Sequence, residues 1–158
     1  MADVTNNLSL HIIDESEYIE PDPINENFKK VDAAFADYVV EQGIKGEWWY
    51  RKWNSGRAEC GVDSKNFGTQ ECTKAWGTSG WYISTTEINF GAYPFAFLLK
   101  PLATVVLNDN DYDGYLGFIA PSGKGTTTTT APIYVMANPK SDTFTNCKFS
   151  IYVVGKWK

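Results

Sequence analysis

The sequence predicts a mainly β protein: an antiparallel, jelly-roll-like β-sandwich preceded by an N-terminal arm and one α-helix. Aromatic residues make up 15% of the chain, which favours strands because aromatic side chains suit half-buried pleated surfaces. Short strand-like runs separated by turn-forming residues recur from residue 44 to the end. Residues 22–43 alone combine a helical period with helix start and stop signals. At 158 residues, the chain is long enough for one principal core.

The first 21 residues, 1–21, are predicted to form an extended arm. They are polar and acidic around one short apolar patch, LSLHII. No basic start precedes that patch, so the segment does not resemble a signal peptide. No apolar stretch of the chain approaches the roughly 18 residues that a membrane helix needs. We therefore expect synthesis in a cytoplasm and no membrane insertion.

A helix is predicted over residues 22–43. Asp22 is placed to cap it, Pro23 suits its first position and Gly43 suits its end. Its apolar residues are spaced by four, three, four and three positions, which is typical of a coiled-coil seam. A lone helix of this length is marginal in water, so the seam is expected to meet either the β-domain or further copies of the chain. The seam residues are Ile24, Phe28, Val31, Phe35 and Tyr38.

The β-sandwich domain is predicted over residues 44–158. In its last strand the apolar residues from Cys147 to Val153 alternate with more polar ones, a pattern of one-sided burial. The glycine- and threonine-rich stretch at 123–131 is predicted to be a protruding hairpin tip or a mobile loop. The predicted strands are 47–53, 57–62, 67–76, 80–90, 95–107, 115–119, 131–137 and 143–154.

Charge and cysteine content narrow the function classes. The formal net charge is -5 and the chain has no cluster of Lys and Arg, so no nucleic-acid partner is expected, because phosphate neutralisation needs concentrated positive charge. The three cysteines cannot all pair within one chain, and their spacings fit neither a zinc site nor a redox motif. We expect them to be buried, reduced thiols.

No catalytic arrangement is favoured by the sequence, and we expect that the protein is not an enzyme. The single histidine, His11, lies in the arm, so a nucleophile paired with histidine would have to recruit that segment. A pair of carboxylates for glycoside hydrolysis is the remaining alternative. Its candidates are Glu59, Glu71 and Glu87, all in strand-like runs, which would make the protein a cell-wall glycosidase.

One acidic segment, NDNDYDGYLG at 108–117, resembles the first half of a calcium-binding loop. Asp109, Asp111 and Asp113 place oxygen ligands on alternate residues, and a glycine follows at the turn. The twelfth position of such a loop should carry a bidentate glutamate, but Ala120 occupies it here. We therefore favour a plain acidic turn and no cofactor, and keep calcium as the alternative.

The segment EWWYRKW at 47–53 concentrates aromatic rings on a single predicted strand. Trp48 and Tyr50 would share one face, and Trp49 and Trp53 the other. Either one face is an exposed platform for stacking sugars, or both faces are covered, one by the core and one by the helix or a neighbouring subunit. The covered strand is favoured, since Trp and Tyr bury much area at little entropic cost. The predicted structural anchors are Trp48, Tyr50 and Trp53.

The stretch INENFKKVDAAFADYVVEQG is followed by GEWWYRKWNSGRAECG. Together they resemble the C-terminal region of tail and tail-fibre proteins of phages and prophages of Gram-positive bacteria. In that family N-x-N-F-x-K-x-D leads to V-x-x-x-G and then to W-x-Y-x-K-W-x-S-G-x-A-E-C. The resemblance runs from about Ile24 to the end and is strongest over residues 43–60. Many relatives have a tryptophan after the Glu-Cys pair, where this chain has Gly61.

The resemblance implies a homotrimer at or near a tail tip, synthesised in a bacterial cytoplasm and located in the virion or in a tail-like particle. It implies contacts with other phage tail or baseplate proteins, and host attachment through a cell-surface glycan. It carries over no catalytic residue. The rival expectation is a purely structural tail-tip or baseplate protein. The candidate ligand-binding residues lie in the distal loops and are Trp76, Trp81, Tyr82, Asp109, Asp111, Tyr112 and Asp113.

Overall fold

A computed structural model describes residues 21–34, 37–109, 118–123 and 125–158. In this part of the chain one helix precedes eleven strands, and all strand pairs are antiparallel. The predicted mainly β, antiparallel fold class is therefore confirmed. The helix is α1 (Pro21–Ala34), and the strands are β1 (Val39–Lys45), β2 (Trp48–Trp53), β3 (Arg57–Asn66), β4 (Gln70–Ala75), β5 (Tyr82–Ser84), β6 (Ile88–Asn89), β7 (Leu102–Asp109), β8 (Phe118–Pro121), β9 (Ile133–Asn138), β10 (Asp142–Phe144) and β11 (Lys148–Lys156).

The β strands form two sheets. Sheet I has the order β1-β2-β3-β11-β7, and sheet II has the order β10-β4-β5-β9-β6, with β8 also paired to β9. Buried side chains of both sheets join in one hydrophobic cluster, so the arrangement is sandwich-like. Each sheet therefore has an inner face on the core and an outer face directed away from it.

The helix is shorter than predicted. It is described as far as Ala34, and residues 39–43, predicted as its last part, lie in β1. The chain divides into two compact units between Tyr38 and Val39. Gly43, predicted as the helix stop, lies opposite Tyr50 of β2, and a Cβ at that position would come within 3.2 Å of the Tyr50 hydroxyl oxygen. Strand pairing outweighs the helical period in this segment.

The predicted seam is only partly located on α1. Ile24 and Val31 are half-buried and Phe28 is 65% exposed. Phe35 lies outside the described residues. Tyr38 lies beyond the described helix, so the seam is not formed by α1 alone. Its role in assembly stays a prediction.

The core is formed by residues that alternate along the strands. In β11, Phe149, Ile151 and Val153 are buried as predicted, while Tyr152 between them is 40% exposed. Cys60 of β3, Cys72 of β4 and Cys147 before β11 are free and buried, which confirms the prediction of reduced thiols.

Two of these thiols have strongly raised pKa values. Burial, with a smaller contribution from the Glu59 carboxylate, raises the pKa of Cys60 to about 12. Burial is also the main cause that raises the pKa of Cys72 to about 11. Both thiols are therefore protonated at neutral pH, as expected of structural cysteines.

The threonine tract does not protrude as predicted. The backbone N–H groups of Tyr93 and Phe97 donate to the carbonyl oxygens of Thr129 and Thr128, at 2.9 and 2.8 Å. The Tyr93 hydroxyl lies 2.6 Å from Thr126 Oγ1. These bonds hold the tract against residues 93–97, which were predicted as partly strand and are irregular as far as Pro101.

Candidate functional site

Two of the three predicted anchors attach β2 to the core. Trp48 is 5% exposed and packs edge-on against Phe90 and Tyr93, with ring centroids 6.4 and 5.5 Å away. Tyr50 packs beside the same cluster. Trp53 is absent from the described core cluster; it is half-buried, and its ring lies 5.0 Å from the Arg57 guanidinium carbon. An anchoring contact of Trp53 with a neighbouring subunit therefore stays a prediction.

Lys52, near the end of β2, is enclosed by aromatic rings. The Lys52 ammonium lies 4.9 Å from the Phe95 ring centroid and 5.2 Å from that of Trp157. It also donates to the Glu41 carboxylate at 2.8 Å, and this bond, followed by the one from Tyr50, lowers the pKa of Glu41. The cation–π contacts of Lys52 thus stabilise this end of the strand.

A cleft of about 370 Å³ opens on sheet II beside β4, β5 and β9. We call it the sheet II cleft. Its walls combine one exposed indole with charged, hydroxyl and aliphatic side chains. The Ser122 hydroxyl is buried and has no hydrogen-bond partner among the described residues. The lining includes Lys74, Trp76, Thr85, Glu87, Ser122 and Val135.

Beside the cleft, Trp76, Trp81 and Phe118 form an aromatic cluster. The Phe118 ring centroid is 5.9 Å from that of Trp76 and 5.0 Å from that of Trp81. A tight turn joins the two tryptophans: the backbone N–H of Trp76 donates to the backbone carbonyl of Trp81 at 2.8 Å, and Gly77 and Gly80 take positive φ values of 58° and 77°. Trp76 is 42% and Phe118 47% exposed, so the cluster presents open ring surface.

Of the other candidate ligand-binding residues, the structure describes Tyr82 and Asp109, and neither belongs to this cluster. Tyr82 packs against the hydrophobic core. Asp109 ends β7, and its carboxylate accepts a hydrogen bond from Lys148 at 2.9 Å. Asp111, Tyr112 and Asp113 lie outside the described residues. Within the described part of the chain no group of three or more His, Cys, Asp or Glu residues could hold a metal ion, so the calcium loop stays a prediction.

The three candidate glutamates lie on different sheets. Glu59 belongs to β3 of sheet I and Glu71 to β4 of sheet II, while Glu87 lines the sheet II cleft. The hydrophobic core separates Glu59 from the other two, because its alternation with buried Ala58 and Cys60 directs it outward. Of these three carboxylates, only Glu71 and Glu87 could therefore belong to one site.

The outer face of sheet I carries a second aromatic group, centred on Trp49 and Tyr152. Trp49 lies opposite Gly61, and a Cβ there would meet its ring at 2.7 Å, so the ring rests directly on the glycine backbone. The Trp49 and Tyr152 ring centroids are 6.0 Å apart. The Tyr152 hydroxyl donates to Glu59, and burial followed by Glu59 raises the Tyr152 pKa.

Some of these features had no clear signal in the sequence. Phe118 stood in a predicted strand, but nothing placed it between Trp76 and Trp81. The contact of Glu59 with Tyr152 joins residues that are 93 positions apart. Only the alternation of Glu59 with Ala58 and Cys60 could have shown that its side chain leaves the core.

Comparisons of this chain with protein-family models, with curated proteins and with solved structures found no match. No helix in the described residues is both long and apolar enough to cross a membrane. The function is therefore inferred from the resemblance noted above and from the side chains on the two outer faces.

Proposed function

We propose that this chain is a trimeric receptor-binding protein of a phage tail or tail-like particle, and that it recognises a host-surface glycan through the sheet II cleft. In this proposal the two sheets form a jelly-roll-like sandwich whose distal loops face the host. The observation that carries the glycan assignment is the exposed Trp76 indole at the edge of a polar cleft of about 370 Å³.

The chemistry of the cleft suits a sugar. A sugar ring has an apolar face that stacks on an aromatic ring and hydroxyl groups that need hydrogen-bond partners. Trp76 offers the ring, and Lys74, Thr85 and Glu87 offer polar groups around it. An apolar ligand would make no hydrogen bond with Lys74 or Thr85, which disfavours it.

Trimerisation would make a shallow site effective. Three identical clefts on one axis, repeated around a particle, raise the apparent affinity without any new contact. The helix supplies an apolar surface suited to this role, since Phe28 is 65% exposed and shares a face with half-buried Ile24 and Val31.

The proposal is tested by a glycan array probed with the full chain and with Trp76→Ala. We expect selective binding by the wild type and loss of at least about tenfold in affinity for the variant, because the stacking surface is removed. Trp76→Phe should retain part of the binding, and Leu99→Ala, at a position 65% exposed, should retain all of it.

Two results would contradict the proposal. Absence of binding by correctly assembled wild-type protein would favour the structural tail-tip or baseplate role. Turnover of purified cell wall that is lost in both Glu71→Gln and Glu87→Gln would favour the glycosidase. Solution mass must be measured for each variant, so that a change in avidity is not mistaken for a change in the cleft.

A further inference from the structure

The outer face of sheet I concentrates positive charge in a chain whose net charge is -5. Arg51 of β2 is paired with Glu59 of β3, and Arg57 of β3 with Lys156 of β11. Alternation from the buried Ala58 and Val153 places all four on the outer face. Two arginines thus flank one carboxylate, and a lysine on the third strand lies opposite one of these arginines.

Glu59 forms ion pairs with two guanidinium groups but does not use all of their N–H donors. Arg51 Nη1 lies 3.8 Å from Glu59 Oε1, and Arg57 Nη2 lies 3.7 Å from Glu59 Oε2. These separations exceed hydrogen-bond distances, and a guanidinium has five N–H donors. The two arginine side chains are 55% and 53% exposed, whereas that of Glu59 is 10% exposed. A hydrogen bond from Arg57 acts to lower the Tyr152 pKa, so the remaining donors of the two half-exposed guanidinium groups face solvent above a nearly covered carboxylate.

Aromatic surface borders these cations on two sides. Trp53 lies beneath Arg57 at 5.0 Å, and the Trp49 and Tyr152 rings lie on the far side of Glu59. The Trp49 ring is held flat across Gly61, which leaves one face of the indole directed away from the sheet. A ligand with both an anionic group and an apolar ring face would contact both kinds of surface.

We propose that the outer face of sheet I binds a phosphorylated sugar, with the phosphate among Arg51, Arg57 and Lys156 and the sugar ring on Trp49 and Tyr152. The placement of the cations distinguishes phosphate from carboxylate. A carboxylate has two coplanar oxygens, which one guanidinium satisfies in a bidentate pair. The oxygens of a tetrahedral phosphate point in different directions, so they can contact three cations on three strands at the same time. This site is separate from the sheet II cleft and does not depend on it.

The test uses the indole N–H signals of the full-length chain in two-dimensional NMR, assigned through single Trp→Phe variants. Glucose 6-phosphate is the probe, with glucose, glucuronic acid and inorganic phosphate as comparisons. We expect glucose 6-phosphate to shift the signals of Trp49 and Trp53 and to bind more weakly as salt is raised. A neutral sugar bound in the sheet II cleft would instead shift Trp76 and Trp81, so the two sites fail or succeed independently.

Charge variants complete the test. Arg51→Gln and Arg57→Gln should each weaken glucose 6-phosphate binding by about tenfold, equivalent to the loss of one charge-assisted contact. Arg57→Lys should restore part of it. Lys140→Gln removes an exposed cation in the turn after β9 and should leave binding unchanged. Thermal unfolding of each variant verifies that the fold persists.

Four results would overturn the proposal. Equal affinity for glucuronic acid would reject the choice of phosphate, and equal affinity for glucose would reject an anion site altogether. An equal loss of binding in Lys140→Gln would show non-specific charge attraction. A change in solution mass of ligand-free Arg57→Gln would show that this face is buried between copies of the chain.

Discussion

On the outer face of sheet I the aromatic rings lie across neighbouring strands, whereas on sheet II they stand at a turn. Trp49 rests on Gly61 in the adjacent strand, and Tyr152 comes from the strand beyond. Trp76 and Trp81 instead flank a short loop and meet Phe118 of β8. Rings fixed by sheet pairing contribute to folding, while rings at a turn contribute mainly exposed surface.

The polar groups of the two faces differ in the same way. Glu59 on sheet I is almost covered and is held by Tyr152 and two arginines, so its surroundings are set before any ligand arrives. On sheet II the charged groups Lys74 and Glu87 are exposed at the edge of an open cleft. Preorganised charge favours a specific anion, and an open polar cleft favours a weaker, multivalent contact.

The largest expected effect concerns the core that both faces share, and it appears at alkaline pH. Unfolded cysteines ionise near pH 9, whereas the folded pKa values of Cys60 and Cys72 are about 12 and about 11. Their contribution to stability is complete below about pH 9 and is lost as the pH rises towards those values. Between about pH 8 and pH 10.5 we expect the free energy of unfolding to fall by on the order of 2–4 kcal/mol.

Urea unfolding at each pH measures this loss. Cys60→Ala should reduce the pH dependence, since one of the two groups is removed, although the variant is less stable at neutral pH. Cys60 lies on sheet I and Cys72 on sheet II, and both belong to the same hydrophobic core. Because the two sheets share this core, we expect them to unfold together. Separate transitions for the signals of Trp49 and Trp76 would break the comparison, because the two faces would then not share one cooperative core.

The fold class could be predicted because its signals are local. Alternating burial in β11 is written in consecutive residues, and Trp48 and Tyr50 of β2 could be assigned to one face from spacing alone. The end of the helix was harder to predict. Gly43 looks like a helix stop, but it is a site where a strand accommodates the Tyr50 ring, and that ring belongs to the partner strand.

The candidate sites were predicted only in part for the same reason. Trp76 and Trp81 could be recognised as loop aromatics, and each ring contacts Phe118. The anion-binding face depends on cross-strand register, which brings Arg57 beside Lys156 and Glu59 near Tyr152. Register between strands distant in sequence is set by the whole core, so one strand read alone does not contain it.

Gly61→Ala tests how tightly the sheet I face is assembled. The added Cβ would lie 2.7 Å from Trp49 Cζ2 and 2.8 Å from the Ile151 carbonyl oxygen. The ring can move but the carbonyl belongs to the strand backbone, so we expect a loss of about 1–3 kcal/mol in the free energy of unfolding. Urea denaturation measures this loss. In Gly61→Ala, the shift of the Trp49 signal caused by glucose 6-phosphate should also disappear.

Gly125→Ala is the matched control for that change, since a Cβ there meets nothing within 4 Å. It should alter stability by less than about 0.5 kcal/mol. In the double variant Trp49→Ala/Gly61→Ala, the added Cβ no longer meets the Trp49 ring but still meets the Ile151 carbonyl oxygen. The losses of stability of the two single variants should therefore not add. Wild-type stability of Gly61→Ala would show that Trp49 is not held on the backbone, and the contrast between the faces would disappear.

Among the tryptophan variants, the smallest expected effect on stability is that of Trp76→Ala. Its indole is 42% exposed and touches Phe118, so removal should cost less than about 1 kcal/mol, while Trp49→Ala should cost more because that ring is half-buried across two strands. Thermal and urea unfolding of both variants provide the comparison. A small loss of stability would agree with the proposed role of Trp76 as exposed ligand-binding surface. If Trp76→Ala destabilised the chain as much as Trp49→Ala, the sheet II cluster would be a structural element, and the cleft beside it would lose its main argument for ligand binding.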